Sequence, residues 1–284
     1  MNLSDIGTVR SLLARHGFKL SHSLGQNFIV NSAVCPKMAE VCGADASSGV
    51  LEIGPGVGVL TKELSNRAAK VVSVELDRKL EPVLQETLAK CRNVKIIWGD
   101  ILKIDISRLI NEEFAGMNVF VCANLPYYIT SPAVMRFIEE KLPVSAVTVM
   151  VQEEAAERLC AKPGTRPCGA VTISVKYHSE PKILFKVPRS CFYPQPNVDS
   201  AVIRLDVRKE PPVHVSNEKA FFSLVKAAFG QRRKTAANAI SAGIGLPKAE
   251  VEEALAKAGA PRSARAEQLT MEQLAFMAEY LNSK

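Results

Sequence analysis

The chain has 284 residues, 47% of them hydrophobic and 23% charged, enough to bury one large core and leave material for a smaller second domain. Its longest apolar runs, such as Ala146 to Val151, fall far short of the roughly 20 residues that a membrane-crossing helix needs, so no membrane span is expected. A formal charge of +7 and a pI near 9.0 favour a polyanionic partner, provided that the surplus is concentrated in one place.

Met1 to Asp5 is polar and acidic where a secretory signal needs basic residues and an apolar core, so a cytoplasmic location is expected. The seven cysteines contain no Cys-x-x-Cys pair and no histidine at zinc-ligand spacing. Reduced, mostly buried thiols and no metal site are expected. Val9, Leu12 and Leu13 have helical spacing, and Arg15, His16, Lys19 and His22 make residues 1–23 read as a basic arm more than as core. Gly25, Gln26 and Asn27 then offer a flexible backbone and two carboxamides, anchored by Phe28 and Ile29. The alternative is a capping turn, with Asn31-Ser32 as N-cap of a helix over 33–41.

A short strand from Val50 runs through Glu52 and Ile53 into Gly54, Gly56 and Gly58, at every second position, and Leu60 and Leu64 begin a helix. Glycines allow positive φ and leave no Cβ between the backbone and a ligand. The strand Val71 to Asp77 follows, and its Glu75 lies roughly 20 residues past the first glycine, where a carboxylate meets the ribose hydroxyls of an adenosine-type cofactor. Pro55 lacks an N–H that a pyrophosphate would use, which argues against NAD and for a cofactor without phosphates, such as S-adenosylmethionine. The alternative is a tight strand-to-helix turn and nothing more.

After a helix over 79–89, a third strand, Val94 to Trp98, ends in Gly99-Asp100. Asp100 suits the exocyclic amine of an adenine, or the N-cap of a segment over 101–109. The fourth strand, Val119 to Ala123, delivers Asn124, Leu125, Pro126, Tyr127 and Tyr128 together, a set suited to gripping a flat, hydrogen-bonding ring. Ser145 to Val151 is a fifth strand. Alternation of strands and helices indicates a doubly wound, mostly parallel α/β sheet, with ligand bound beyond the C-terminal strand ends. Gly54, Glu75, Asp100 and Asn124 converge there.

Val171 to Tyr177 and Lys182 to Val187 read as strands, and Ala201 to Leu205 as the last. The stiff loop Cys191 to Ser200 carries Phe192, either a second stacking face over the site or a hydrophobic plug. Beyond Lys209-Glu210-Pro211-Pro212 the pattern is helical, over 217–229, 234–242, 248–258 and 271–281, so domains over 1–208 and 209–284 are expected. Arg232, Arg233 and Lys234 crowd a helix start, where the macrodipole disfavours cations unless an anion offsets them. Phosphate backbone is one such anion, and a solvated basic turn is the alternative.

Taken in order, Leu24 to Phe28, Glu52 to Thr61, Asn124 to Pro132, Phe192 to Val202 and Phe229 to Lys234 resemble the small-subunit ribosomal RNA adenine N6,N6-dimethyltransferase family, related to the resistance-type rRNA methylases. The set spans almost the whole chain. The resemblance implies a class I methyltransferase (Rossmann-like) fold and a small C-terminal helical domain. It also implies methyl transfer from S-adenosylmethionine to two adjacent adenines in a 3′-terminal hairpin loop of 16S rRNA, in an immature small subunit. It assigns Gln26, Asn27, Phe28, Glu52, Gly54, Gly56, Glu75, Asp100 and Asn124 to the cofactor, and Asn124, Leu125, Pro126 and Tyr127 to the target base. Phe192 is a candidate second face, Arg232, Arg233 and Lys234 contact RNA, Tyr128 is assigned to packing, and a monomer is expected. Cys168 departs from the family's usual tyrosine before Gly169. The alternatives are a large-subunit methylase of resistance type, a DNA adenine N6-methylase, and a catalytically idle RNA-binding factor.

Overall fold

A computed structural model describes residues 1–21 and 25–283; His22 and the Ser23-Leu24 start of the first motif lie outside them. The strands are β1 (Phe28–Ile29), β2 (Gly49–Ile53), β3 (Lys70–Glu75), β4 (Val94–Trp98) and β5 (Val119–Asn124), then β6 (Ala146–Gln152), β7 (Ser179–Val187), β8 (Phe192–Tyr193) and β9 (Ser200–Val207). Among the described residues, seven of them form one sheet in the order β4-β3-β2-β5-β6-β9-β7, and β1 pairs with β8.

β4, β3, β2, β5 and β6 run parallel, with Ile53 opposite both Val74 and Ala123, and Glu75 opposite Trp98. β9 turns back antiparallel on β6, setting Ser200 opposite Gln152. Every residue of β2 is buried, and β5 is buried up to its last residue, as expected of strands covered on both faces. From β2 the chain steps outward to β3 and β4, then returns to β5 on the other side. That reversal opens a crevice beyond the C-terminal ends of β2 and β5.

Two compact units result. One comprises 1–156 with 181–207, and the other comprises 157–180 with 208–284. The single cut expected after 208 is therefore corrected. Val171 to Tyr177, read as a strand from its β-branched run, is the helix Ala170–His178, whose Ile173 and Tyr177 join Phe221, Leu224, Ile240 and Leu255 in the core of the second unit. Burial among helices outweighed a local preference worth only about 1 kcal/mol.

Residues 1–21 differ from a loose arm. Asp5 caps the helix Ile6–Arg15 by accepting from Thr8 N at 2.7 Å, and Val9, Leu12 and Leu13 are buried in the core of the sheet unit. Arg15 and His16 both meet Glu86. The helix Val34–Val41 has no side-chain N-cap; Asn31 instead closes a turn by accepting from Ala33 N at 2.9 Å. Asp100 likewise accepts from Leu102 N, and the helix Ile106–Glu113 takes Asp105 as its cap.

Candidate active site

The crevice is a cleft of about 170 Å³, lined from the C-terminal ends of β2, β3, β4 and β5 and from the stretch Gly25 to Ile29. Gly54 leaves β2 at φ +67° and donates to Val74 O at 2.9 Å, and Gly56 follows at φ +56°. A Cβ on Gly54 would meet nothing within 4 Å, whereas one on Gly56 would lie 3.1 Å from the Phe28 ring. The turn is thus open toward the cleft at one glycine and pressed against an aromatic wall at the next.

Glu75 ends β3 at 7% exposure. One carboxylate oxygen accepts from Asp77 N at 2.8 Å, and the other stands 3.4 Å from Gly56 N. Burial holds its pKa above the usual carboxylate range, so hydrogen-bond donors from a ligand would offset a real desolvation cost. A vicinal diol supplies such donors. Beyond β4, Asp100 keeps its carboxylate partly exposed, with Lys103 Nζ at 3.7 Å.

Opposite these groups, Asn124 ends β5 and its Nδ2 donates to Asn27 O at 3.1 Å. Gln26 spans two partners, accepting from Ser21 N and donating to Asp77 Oδ2, each at 2.9 Å. The half-buried Tyr127 places its hydroxyl 2.9 Å from Ser200 Oγ, and burial raises the pKa of that phenol. Together these groups offer acceptors for a nucleoside, a polar amide, and an aromatic face at one edge of the sheet.

The ribosomal RNA adenine dimethylase family model matches residues 17–283. The chain belongs to the ribosomal RNA adenine dimethylase family. Among its relatives, the ribosomal RNA small subunit methyltransferase A of Alkaliphilus oremlandii is 47% identical, with 99% of each chain covered. That of Clostridioides difficile is 43% identical, over 99% of this chain and 98% of the relative. The crystal structure of the 23S rRNA methyltransferase ErmE is 28% identical and superposes with a TM-score of 0.70, covering 90% of this chain and 99% of that one. A dimethyladenosine transferase of Plasmodium falciparum, 23% identical, shares the fold, with a TM-score of 0.72 over 90% of this chain and 97% of its own. Membership of this family makes the chain a class I, Rossmann-like methyltransferase whose methyl donor is S-adenosylmethionine.

Within this family member, Gln26, Asn27, Phe28, Gly54, Gly56, Glu75, Asp100, Asn124, Leu125, Pro126 and Tyr127 all line the cleft. Two expected site residues do not. Glu52 is fully buried inside β2, where Ser73 Oγ donates to it at 2.6 Å and burial pushes its pKa up to about 7. Side chains alternate along a strand, so Glu52 and its neighbour Ile53, which does reach the cleft, face opposite ways. Phe192 is 4% exposed, pairs through its backbone with Ile29 in β1, and belongs to the core; the plug alternative describes it.

Tyr128, expected in packing, is 55% exposed at the cleft mouth. Gly25 lies beside it and also went unassigned. The adjacent tyrosines were a visible signal, but only the structure separates the anchored ring from the exposed one. Arg232, Arg233 and Lys234 occupy an exposed turn between the helices Glu218–Gly230 and Ala236–Ile244. Cys168 is fully buried in the second unit's core, so the cysteine fills an interior position.

Proposed function

We propose that the chain dimethylates N6 of two adjacent adenines in a 3′-terminal hairpin loop of 16S rRNA, acting as a cytoplasmic monomer on an immature small subunit. The observation that carries this reading is the meeting of Gly54, Glu75, Asp100 and the Asn124 to Tyr127 segment in a single cleft. The small-subunit assignment draws support from relatives 43–47% identical that bear that name, against 28% for the 23S rRNA enzyme.

Glu75 holds the ribose hydroxyls of S-adenosylmethionine, Asp100 its adenine amine, and Gln26, Asn27, Phe28 and the Gly54-Gly56 turn enclose it. When bound, it supplies an electrophilic methyl group. An adenine amine is a weak nucleophile because its lone pair is delocalised into the ring. Asn124 Oδ1 and the Leu125 carbonyl each accept one N–H and so turn the lone pair toward the methyl. No strong general base is required, since positioning alone can contribute roughly 7–11 kcal/mol. Pro126 fixes the turn. Tyr127 stacks on the extruded base, a contact worth about 1–3 kcal/mol.

In this reading, the unit of 157–180 with 208–284 carries RNA contacts. Arg232, Arg233 and Lys234 make no ion pair among the described residues, which leaves them available to phosphates. Primer extension on both ribosomal RNAs after reaction with subunits lacking the modification tests the assignment. Stops at two adjacent adenines near the 3′ end of 16S rRNA are expected, and stops in 23S rRNA would replace it with the resistance-type activity.

A further inference from the structure

An amide can present either its oxygen or its NH2 to a ligand, and the two are nearly identical in shape. Asn124 serves the proposed chemistry in only one of these orientations, with Oδ1 facing the adenine amine. Its Nδ2 donates to the main-chain carbonyl of Asn27 at 3.1 Å, across 97 residues of sequence. A carbonyl has no hydrogen to give. It therefore accepts the NH2 and rejects the flipped amide, whose oxygen would face another oxygen.

We infer that the Asn27 carbonyl is a positioning group that fixes the Asn124 amide as an acceptor before the adenine arrives. The inference rests on the reading that Asn124 Oδ1 accepts an adenine N–H. The loop bearing this carbonyl is itself tied down on both sides of Asn27. Gln26 Nε2 donates to Asp77 Oδ2 at 2.9 Å, and β1 follows at once, with Phe28 paired to Tyr193. At Gly25, φ is +59°, and a Cβ there would lie 3.5 Å from Pro126 and 3.6 Å from the Tyr128 ring. The loop thus lies close against the segment that carries Asn124. A carbonyl held this way costs little reorganisation when substrate binds, which is the condition for effective preorganisation.

The arrangement makes asparagine and aspartate unequal in a specific way. Ionised, an aspartate at 124 would set a carboxylate oxygen against the Asn27 carbonyl. Protonated, its O–H would donate to that carbonyl and leave the other oxygen facing the adenine. The active form of N124D is therefore the neutral acid. Glu75, Asp100, Tyr127 and Tyr128 are the other titratable groups lining the cleft, with Asp77 behind Gln26. They are common to both proteins, so the ratio of N124D to wild-type turnover removes their own titration.

The experiment measures that kcat ratio from about pH 5.5 to 9 with methyl-deficient small subunits. The ratio should fall as pH rises, approaching tenfold per pH unit above the pKa of the new acid. A ratio that is flat, or that rises with pH, overturns the positioning role. Should N124D turn over at no pH, side-chain amide hydrogen exchange in the 15N-labelled wild-type protein decides, with the Asn124 signal identified by its absence from N124D. Slowed exchange is expected of a donor bound to Asn27, and the rate of an exposed asparagine would overturn the inference. Full activity in N124A would instead remove the catalytic reading of Asn124, a failure distinct from either.

Discussion

Two proline-rich, aromatic stretches stand out, Asn124 to Tyr128 and Phe192 to Ser200, and the fold uses them in opposite ways. The first emerges from the C-terminal end of a parallel strand into the cleft. The second pairs with β1, buries Phe192, and then enters the antiparallel strand β9. Among the described residues it reaches the site only at second hand, through the backbone pairing of Phe192 and Tyr193 with Ile29 and Phe28 and through Ser200, whose hydroxyl lies 2.9 Å from that of Tyr127. Strand direction therefore separates the two motifs, because within the large sheet the crevice opens at the C-terminal ends of the parallel strands, and Asn124 to Tyr128 leaves such an end whereas Phe192 to Ser200 leads into the start of an antiparallel strand.

Truncating Phe192 to alanine should give the largest effect on folding, about 3–5 kcal/mol in chemical denaturation, with turnover per folded molecule within about twofold of wild type. Tyr127→Ala should do the reverse, lowering kcat/KM by about 1–3 kcal/mol with little change in denaturation midpoint. A folded Phe192 variant that has lost turnover would erase the distinction between the two stretches.

Glu52 sharpens the same contrast, as a buried residue behind the cleft. Its folded-state pKa of about 7 lies above the ordinary 4.5, so its contribution to stability is intact below about pH 4.5 and is lost as pH rises through 7. Glu52→Gln should therefore stabilise the protein by on the order of 3 kcal/mol at pH 8 and by nothing at pH 4, with S-adenosylmethionine affinity retained. Thermal denaturation at the two pH values checks the sign. Glu75→Ala, on the cleft side, should weaken S-adenosylmethionine by about 10- to 100-fold through loss of charge-assisted hydrogen bonds. Unchanged affinity by calorimetry would remove the ribose assignment.

The smallest expected change concerns the second unit. Reversing charge at Arg232 and Arg233 should lower RNA affinity at moderate salt and flatten its log–log salt dependence by at least about 1.4, leaving S-adenosylmethionine binding alone. An unaltered slope would return the turn to simple solvation.

The sheet and the cleft were legible because their signals are local and periodic. Apolar runs ending in Gly54, Glu75, Gly99-Asp100 and Asn124 mark strand ends, and a glycine turn at one with side-chain acceptors at the other three implies a common edge. Signals that depend on tertiary context misled. Val171 to Tyr177 has the β-branched look of a strand and is helical because helices bury it. Glu52 sits next to the glycine turn in sequence, yet faces away from it. Tyr127 and Tyr128 are indistinguishable as letters; a buried serine some 73 residues away anchors one and leaves the other exposed. Nor does sequence pair the Asn27 carbonyl with the Asn124 amide, since a main-chain group carries no signature.

The central claim is that methyl donor and target adenine meet at Asn124. It is tested most directly by comparing wild type and Asn124→Ala for calorimetric S-adenosylmethionine binding and for labelled-methyl transfer to small subunits from a strain lacking the modification. The account predicts binding within a few-fold of wild type and a turnover at least about 10³-fold lower; near-normal turnover by the alanine variant would contradict it.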